Sequence, residues 1–362
     1  MNDNNLQRKF KKKTNKNMKM TYKEKLIIIR DVLTDDDRKN ILLILKDLNE
    51  LRKTNSIREL KFYISSLMYK KNAGNIHMYV NDKVLSKIIN FNTSHPNWEV
   101  IDNKITFSEK MSQIPNSVPM YLGKIDKGFI YDNKGNNILL KSKADLIPII
   151  KRLTQRYGVV FVKKTGSCGG KDVFRFNETS NFNLEKINLQ DEYLIQKGLT
   201  QHNTLNTINP HCINTLRVIT LNRNDETNIT SCVLRMGINE SYKDNASSGG
   251  IFVGYDIEKN KLDKVATKFL NKGGTSYYSH PETHYVFKDQ ALPYPEKVIS
   301  LVKEAAEIFS DRYVIGWDVA YTPEGPVIIE GNTNPCPVGM QIALRGLRNV
   351  KIYDDIYREF YN

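Results

Sequence analysis

The chain has 362 residues, 40% of them hydrophobic and 26% charged, and carries a net charge of +14. That length can bury a large core and suits two or three subdomains. The composition is that of a globular protein and excludes a disordered or fibrous chain. No apolar run approaches the roughly 18 residues of a membrane-spanning helix; stretches such as Ile41–Leu45 are too short.

The charge is unevenly placed. Residues 1–25 hold nine Lys and Arg against Asp3 and Glu24, a balance of +7 and half of the total. Residues 1–20 read as a solvated, disordered basic arm. A weak contact of residues 1–25 with an anionic membrane surface is the second reading. No apolar segment follows the basic start, so no secretory leader is expected. Cys168, Cys212, Cys232 and Cys336 are widely spaced, with no CxxC pair and no zinc pattern. Free thiols in a reducing cytoplasm are expected, with the protein cytoplasmic or peripheral at the inner face of the membrane. The body carries no nucleic-acid motif, so nucleic acid is not an expected partner.

Residues 21–75 read as a helical extension that offers a packing or partner surface. Ile41, Leu45, Leu48 and Leu51 recur at helical spacing, as do Ile57, Leu60, Ile64, Leu67 and Met68, and Ala73-Gly74 supplies a stop. Residues 76–157 mix short strands and helices in an N-terminal α/β lobe. Gly123, Gly128 and Gly135 mark turns in a small sheet near 121–140, and 145–157 reads as a helix despite Pro148. From 158 onward the expected core divides into a lid hairpin, 158–200, and a C-terminal lobe, 201–362. Within that lobe a helix begins at Pro295, with Val298, Leu301, Val302, Ala305 and Ile308 as its apolar stripe.

Four segments carry candidate chemistry. Val159–Val162 is a strand, followed by Lys163, Lys164 and the turn Thr165-Gly166-Ser167-Cys168-Gly169-Gly170-Lys171, then a second strand from Asp172 to Phe176. Backbone N–H groups in such a turn can wrap a phosphate, and the lysines add charge. The bland alternative is a flexible hairpin. It is not a Walker A loop, because spacing and following helix are both absent. Glu192–Lys197 is a short apolar strand whose edge can bond an adenine while Leu194 or Ile195 packs the ring. Thr215–Asn222 and Ile229–Met236 read as an antiparallel pair. A loop centred near Glu226 would set Arg217 opposite Arg235, with an anion between them; two solvent-facing arginines are the alternative. Asp244 and Asn245 precede Ser247-Ser248-Gly249-Gly250. They either line an acceptor pocket or form an Asx-turn. His280 and His284 have helical metal spacing, but Pro281 and the loop setting argue against a zinc helix.

The most informative stretch is Gly316–Pro335. Val314–Tyr321 and Val327–Ile329 read as strands joined by Thr322-Pro323-Glu324-Gly325. A turn centred on Glu324 sets Asp318 opposite Glu330, with Asn332 on the same face as Glu330. Opposed carboxylates repel and are tolerated where a cation lies between them. Two carboxylates and an amide oxygen suit Mg²⁺ holding phosphates. A structural carboxylate beside a turn residue is the plain alternative.

Together these segments resemble the ATP-grasp superfamily from about Phe107 to Asn334. FSEKMSQIPNSVPMYLG is similar to the segment bearing a phosphate-binding lysine, implying Lys110. VVFVKKTGSCGGKDV is similar to the lid, implying Lys163, Ser167, Gly169, Gly170 and Lys171. EYLIQK resembles the adenine hinge, implying Gln196 and Lys197. The D…ExN set implies Mg²⁺, or Mn²⁺, on Asp318, Glu330 and Asn332. NTLRVIT, LRMG, KDNASSGG and GWDVAYTPEGPVIIEGN resemble more closely the sugar-transfer-associated ATP-grasp group, which is linked to surface-polysaccharide pathways. Lys164 stands where many relatives carry proline, so which of Lys163 and Lys164 meets the nucleotide stays open.

The resemblance implies an α+β ATP-grasp fold, two lobes gripping ATP, behind an N-terminal helical extension. It implies an ATP- and Mg²⁺-dependent ligase. Such an enzyme activates a small-molecule carboxylate as an acyl phosphate and joins it to an amine, a hydroxyl or a sugar-linked acceptor. Arg217 and Arg235 would stabilise the transferring phosphoryl group, and Thr215, Asp244, Asn245, Gly249 and Gly250 would line the substrate pocket. A phosphotransferase on the same fold and a non-catalytic nucleotide-binding scaffold are the alternatives.

Overall fold

The computed structural model describes residues 29–54, 59–93, 99–167, 172–181 and 183–361. The basic arm, Ile57, and the turn residues Cys168, Gly169, Gly170 and Lys171 lie outside the described residues.

Two sheets organise the chain. The first has six strands: β1 (Tyr121–Asp126), β2 (Phe129–Asp132), β3 (Asn137–Leu139), β4 (Val160–Lys164), β5 (Val173–Phe176) and β6 (Tyr193–Lys197), in the order β3-β2-β1-β6-β4-β5. β6 lies between β1 and β4, so the boundary expected at 157/158 falls inside one hydrogen-bonded sheet. Leu146 and Ile150 of the helix Leu146–Tyr157 pack on Val160 and Val162. Side chains alternate along a strand, so Phe161 and Lys163 turn to the opposite face, and Lys164 shares the side of the two valines.

The second sheet has seven strands: β7 (Thr215–Arg223), β8 (Glu226–Met236), β9 (Ile251–Asp256), β10 (Lys261–Thr267), β11 (Ser276–Tyr277), β12 (Val314–Thr322) and β13 (Gly325–Asn332). Their order is β11-β10-β9-β8-β7-β12-β13. One face is covered by the helix Pro295–Ile308, whose Val298, Leu301, Val302 and Ala305 are buried as the stripe predicts. Leu216, Val218, Trp317 and Val319 meet that core, together with Phe107 and Met111 from the helix Lys104–Met111. The other face buries Ile219, Leu221 and Val314 against Val84, Leu85 and Ile88 of the helix Asp82–Thr93, and against Met340 and Tyr353. Residues 80–93 and 99–111 therefore pack largely with the C-terminal sheet, although the sequence places them with the N-terminal lobe.

The helix Ile41–Thr54 and the segment Glu59–Ser65 form a separate small core around Phe62, Tyr63, Met68 and Tyr69. Its inward side is Ile44, Leu48 and Leu51. Ile41 and Leu45, expected in that stripe, are instead 46% and 57% exposed. The apolar start of this helix has more than one apolar side, and only one of them can face the small core.

Candidate active site

The site grows from the register of three adjacent strands. β12 pairs Asp318 with Arg217 on β7 and with Glu330 on β13. The row Arg217–Asp318–Glu330 thus crosses the sheet on the face shared with Ile219 and Leu221. Two like charges opposite each other are costly; here an arginine on the far side of Asp318 offsets one of them.

The predicted Asp318–Glu330 pairing is present, by a different geometry. The turn is the two residues Pro323 and Glu324, since Thr322 faces Gly325. Val319 then pairs with Ile328, and a bulge at Ile329 restores the step that puts Glu330 opposite Asp318. Gly316 lies opposite Asn332, whose Nδ2 donates to the Gly316 carbonyl at 3.3 Å. A Cβ at Gly316 would come within 2.6 Å of Pro335 Cβ, so glycine is what lets the 333–335 turn lie against the strand.

Arg217 and Arg235 do not face each other. Arg217 is paired with Val233, and Arg235 with Thr215. The β7–β8 connection is only Asn224-Asp225, both with positive φ (53° and 60°), the signature of a tight two-residue hairpin. A bulge near Thr230 takes back one residue of the resulting shift. Nor is the space between the arginines left for an outside anion. Arg217 grips Asp318 with its fork, Nε to Oδ1 and Nη2 to Oδ2 at 2.9 Å, and Arg235 Nη2 reaches the same Oδ2 at 2.8 Å. Arg235 also approaches Asp244 at 3.3 Å and donates to Thr215 Oγ1 at 2.6 Å, while the Thr215 hydroxyl donates to Asp244.

Burial pushes the Asp318 carboxyl up, but the charges of Arg217 and Arg235 outweigh this and hold it below the usual carboxylate range. Glu330 goes the other way. Burial and the neighbouring Asp318 charge raise it, against the pull of Lys104. Burial likewise raises Asp244, against the pull of Arg235.

The opposite wall comes from the first sheet. Lys163 Nζ donates to Gln196 Oε1 at 3.0 Å, and its charge interacts with Glu330. Burial lowers Lys163 to about 8, with Glu330 pulling it up and Lys104 adding to the depression. Lys164 turns away to Asp191 at 2.6 Å, so strand alternation puts the two lysines on opposite faces. Ser167 bonds the Lys164 carbonyl at 3.0 Å. Gln196 is buried and faces Phe161 across the ladder, whereas Lys197 is exposed and pairs with Val160, on the far face.

Lys110 is not brought to this wall. It is exposed, with Nζ 5.9 Å from the Phe309 ring. Six residues earlier, Lys104 sends Nζ to the Ser167 carbonyl at 2.6 Å and lies close enough to Glu330 and Lys163 to shift both. The signal for it was in the sequence. Asn103 caps the helix through Ile105 N and Thr106 N, which puts Lys104 at the first helical position, where the helix dipole disfavours a cation. Asp102, also not predicted, accepts from Thr333 N at 3.1 Å and Thr333 Oγ1 at 2.6 Å, tying this helix to the turn after Asn332. Of the remaining expectations, Asn245 makes the Asx-turn, accepting from Ser247 N at 2.9 Å, and Gly249 adopts φ +106°. At Gly250 a Cβ would meet Asp244 O at 2.6 Å. His280 is buried with Nε2 3.0 Å from the Gly237 carbonyl, a structural role, and His284 is exposed.

Two α+β sheets, with Lys104 and Lys163 beside the Arg217–Asp318–Glu330 row, have the architecture of an ATP-grasp protein. The chain belongs to the sugar-transfer-associated ATP-grasp family, which matches residues 86–352. Solved structures that resemble it include D-alanyl-alanine synthetase A from Vibrio cholerae, at 12% identity and TM-score 0.43, covering 72% of this chain and 65% of that one. N5-carboxyaminoimidazole ribonucleotide synthetase from Thermotoga maritima follows at 12% identity and TM-score 0.37, covering 74% and 56%. L-amino acid ligase from Bacillus licheniformis stands at 9% identity and TM-score 0.37, covering 67% and 42%. The chain thus spans less than two thirds of each of these proteins. A comparison with curated proteins returns no match.

Proposed function

We propose that this protein is an ATP-dependent ligase that activates a carboxylate as an acyl phosphate and joins it to an amine or hydroxyl acceptor, in the modification of a sugar precursor. The observation that carries the reading is the convergence of Lys104 and Lys163 toward Glu330, beside the Arg217–Asp318–Arg235 cluster. Family membership supports nucleotide binding, and the sugar-transfer association supports the acceptor class.

In this reading Lys104 and Lys163 hold phosphate oxygens, and Gln196 orients Lys163 through its amide oxygen. A substrate carboxylate is ionised at neutral pH and attacks the terminal phosphoryl group without a base, so positioning and charge neutralisation supply most of the rate. The donor set fits a hard divalent cation on one side only. Both Asp318 oxygens are taken by arginines, whereas Glu330 takes no hydrogen bond from a cation among the described residues and Asn332 keeps Oδ1 for a ligand. Glu330 and Asn332 would hold Mg²⁺, which supplies neutralisation of phosphate charge when bound. Arg217 and Arg235 keep Asp318 in place and set the local potential. A stable phosphorylated product without ligation remains the second outcome on the same site.

The test is ADP formation with Mg²⁺ across uronic acids, amino acids and nucleotide sugars, each with and without an amine. Amine-dependent ADP release and a joined product support the ligase. Turnover that needs no amine and leaves a stable phosphate ester identifies a phosphotransferase, and no turnover with any pair removes the reading.

Two outcomes follow for the lysines. Lys104→Ala is expected to weaken ATP binding by about tenfold to a hundredfold, the worth of one charge-assisted hydrogen bond, and Lys110→Ala to leave it unchanged. Calorimetric titration of both variants decides whether the lysine was assigned to the right turn. Lys163 is charged below about 8 and neutral above it. Apparent ATP affinity should therefore fall as pH rises through that value, and a Lys163→Met variant should bind weakly with no such step.

A further inference from the structure

The helix Lys104–Met111 is fastened to β13 at three places along the strand. Just past its end, Ser117 donates its hydroxyl to the Met111 carbonyl at 2.9 Å, and the Ser117 carbonyl accepts from Ile328 N at 2.7 Å. Further along, Gly331 stands between Glu330 and Asn332 and is paired with Trp317. By alternation it turns to the face opposite theirs. A Cβ there would come within 2.8 Å of Ile101 Cδ1 and 3.2 Å of Phe107 Cε2, so the bare glycine lets the helix and its approach close on the strand. At the start, one Asp102 oxygen accepts from Thr333 N at 3.1 Å and the other from Thr333 Oγ1 at 2.6 Å. The Thr333 carbonyl is held too, by Asn92 Nδ2 at 3.0 Å. Asn92 also donates to the Val314 carbonyl, and its Oδ1 accepts from Tyr313 N and Val314 N at 2.8 and 3.1 Å. Thr333 and Asn92 are both buried.

We propose that Asp102 is a positioning residue: by gripping Thr333 it fixes the base of Lys104 against the strand end that carries Glu330 and Asn332. The inference rests on the role given above to Lys104 in holding ATP. What makes the grip specific is its address. Asp102 stands two residues before Lys104, and Thr333 one residue after Asn332. A lysine is a point charge on a flexible four-carbon stem, so the reach of its ammonium is set by where its backbone is held. With that backbone pinned, Lys104 extends to the Ser167 carbonyl at 2.6 Å while staying beside Glu330 and Lys163. The phosphate-holding lysine and the acidic end of β13 then keep one spacing as ATP enters.

The test is calorimetric titration of ATP with Mg²⁺ into the full chain and its variants, with melting temperatures as the check on folding. Asp102→Ala should weaken binding by about tenfold, the low end of the loss expected for Lys104→Ala. In a Lys104→Ala background the same substitution should cost less than about twofold, because the group it acts through is gone. An asparagine can accept from the Thr333 amide and donate to its hydroxyl, so Asp102→Asn should bind within about threefold of wild type. Thr333→Val keeps the N–H and drops the hydroxyl. It should cost about threefold, again only when Lys104 is present, and it carries the cycle if Asp102→Ala does not fold. A loss of equal size with and without Lys104 makes Asp102 merely structural and overturns the proposal. Equal losses in Asp102→Ala and Asp102→Asn overturn it as well, since its charge rather than its grip would then be acting. So does unchanged binding in both Asp102→Ala and Thr333→Val. Failure of the reading beneath it looks different: wild type would bind no ATP, or Lys104→Ala alone would bind as wild type does, and the proposal would fall with that reading.

Discussion

Glu330→Gln is expected to leave the protein at least as stable as the wild type while lowering turnover by about 10²–10³, the effect of losing one preorganised electrostatic contact. Size and shape are kept, and one of the two facing carboxyls loses its charge. The repulsion across the ladder is removed. The pH dependence has a definite sign. Glu330 is raised above its ordinary 4.5 in the fold, so the stability it contributes is complete below that value and is lost as pH rises through the folded value. The advantage of the variant over the wild type should therefore grow from about pH 4.5 upward, and melting temperatures across that range measure it. A melting temperature well below that of the wild type would make Glu330 a structural carboxylate. Full activity on the true substrates would remove it from the cation site.

Asp318→Ala is expected to behave in the opposite way and to cost about 3–5 kcal/mol of folding stability, read from denaturant unfolding at neutral pH. The carboxylate is 4% exposed and lies between Arg217 and Arg235, themselves 9% and 12% exposed. Removing it leaves two buried cations with only Asp244 within ion-pair distance of Arg235 among the described residues and with Glu330 as a further acidic neighbour. Because Asp318 is held below its ordinary 3.8, its contribution is present above that value and disappears as pH falls through the folded value. The stability gap between wild type and variant should thus close in acid. The contrast between neighbours on one ladder is the decisive feature: Glu330 dispensable for folding, Asp318 required for it. If both variants unfold alike, the arginine cluster is held by something other than Asp318.

The two positions also show how far the chain can be understood without its fold. The Asp318–Glu330 pairing was legible because a tight turn and two short apolar runs leave little freedom of register. Even so, the expected turn centre was off by half a step, and the bulge at Ile329 cancelled the error at the site. Arg217 and Arg235 were legible as residues of interest on one face, but not as partners. A tight Asn224-Asp225 turn and a bulge shifted the register by two residues, which preserves the face and changes the neighbour. The helix Pro295–Ile308 and its buried stripe were legible throughout, since a period of 3.6 is a local property.

By itself, then, the sequence determined the periodic elements, the ATP-grasp motifs and the list of charged residues that could meet a nucleotide. The tertiary structure decided which of them meet. It put Lys163 and Lys164 on opposite faces of β4, brought Lys104 rather than Lys110 beside Glu330, and filled the gap between the arginines with Asp318 and Asp244. It also set residues 80–93 and 99–111 on the C-terminal sheet and left Leu42 and Leu45 exposed. The reason is physical. Strand and helix periods are set by bonds between near neighbours, whereas charge pairing depends on distances between segments about a hundred residues apart, which only the packing of the two sheets fixes.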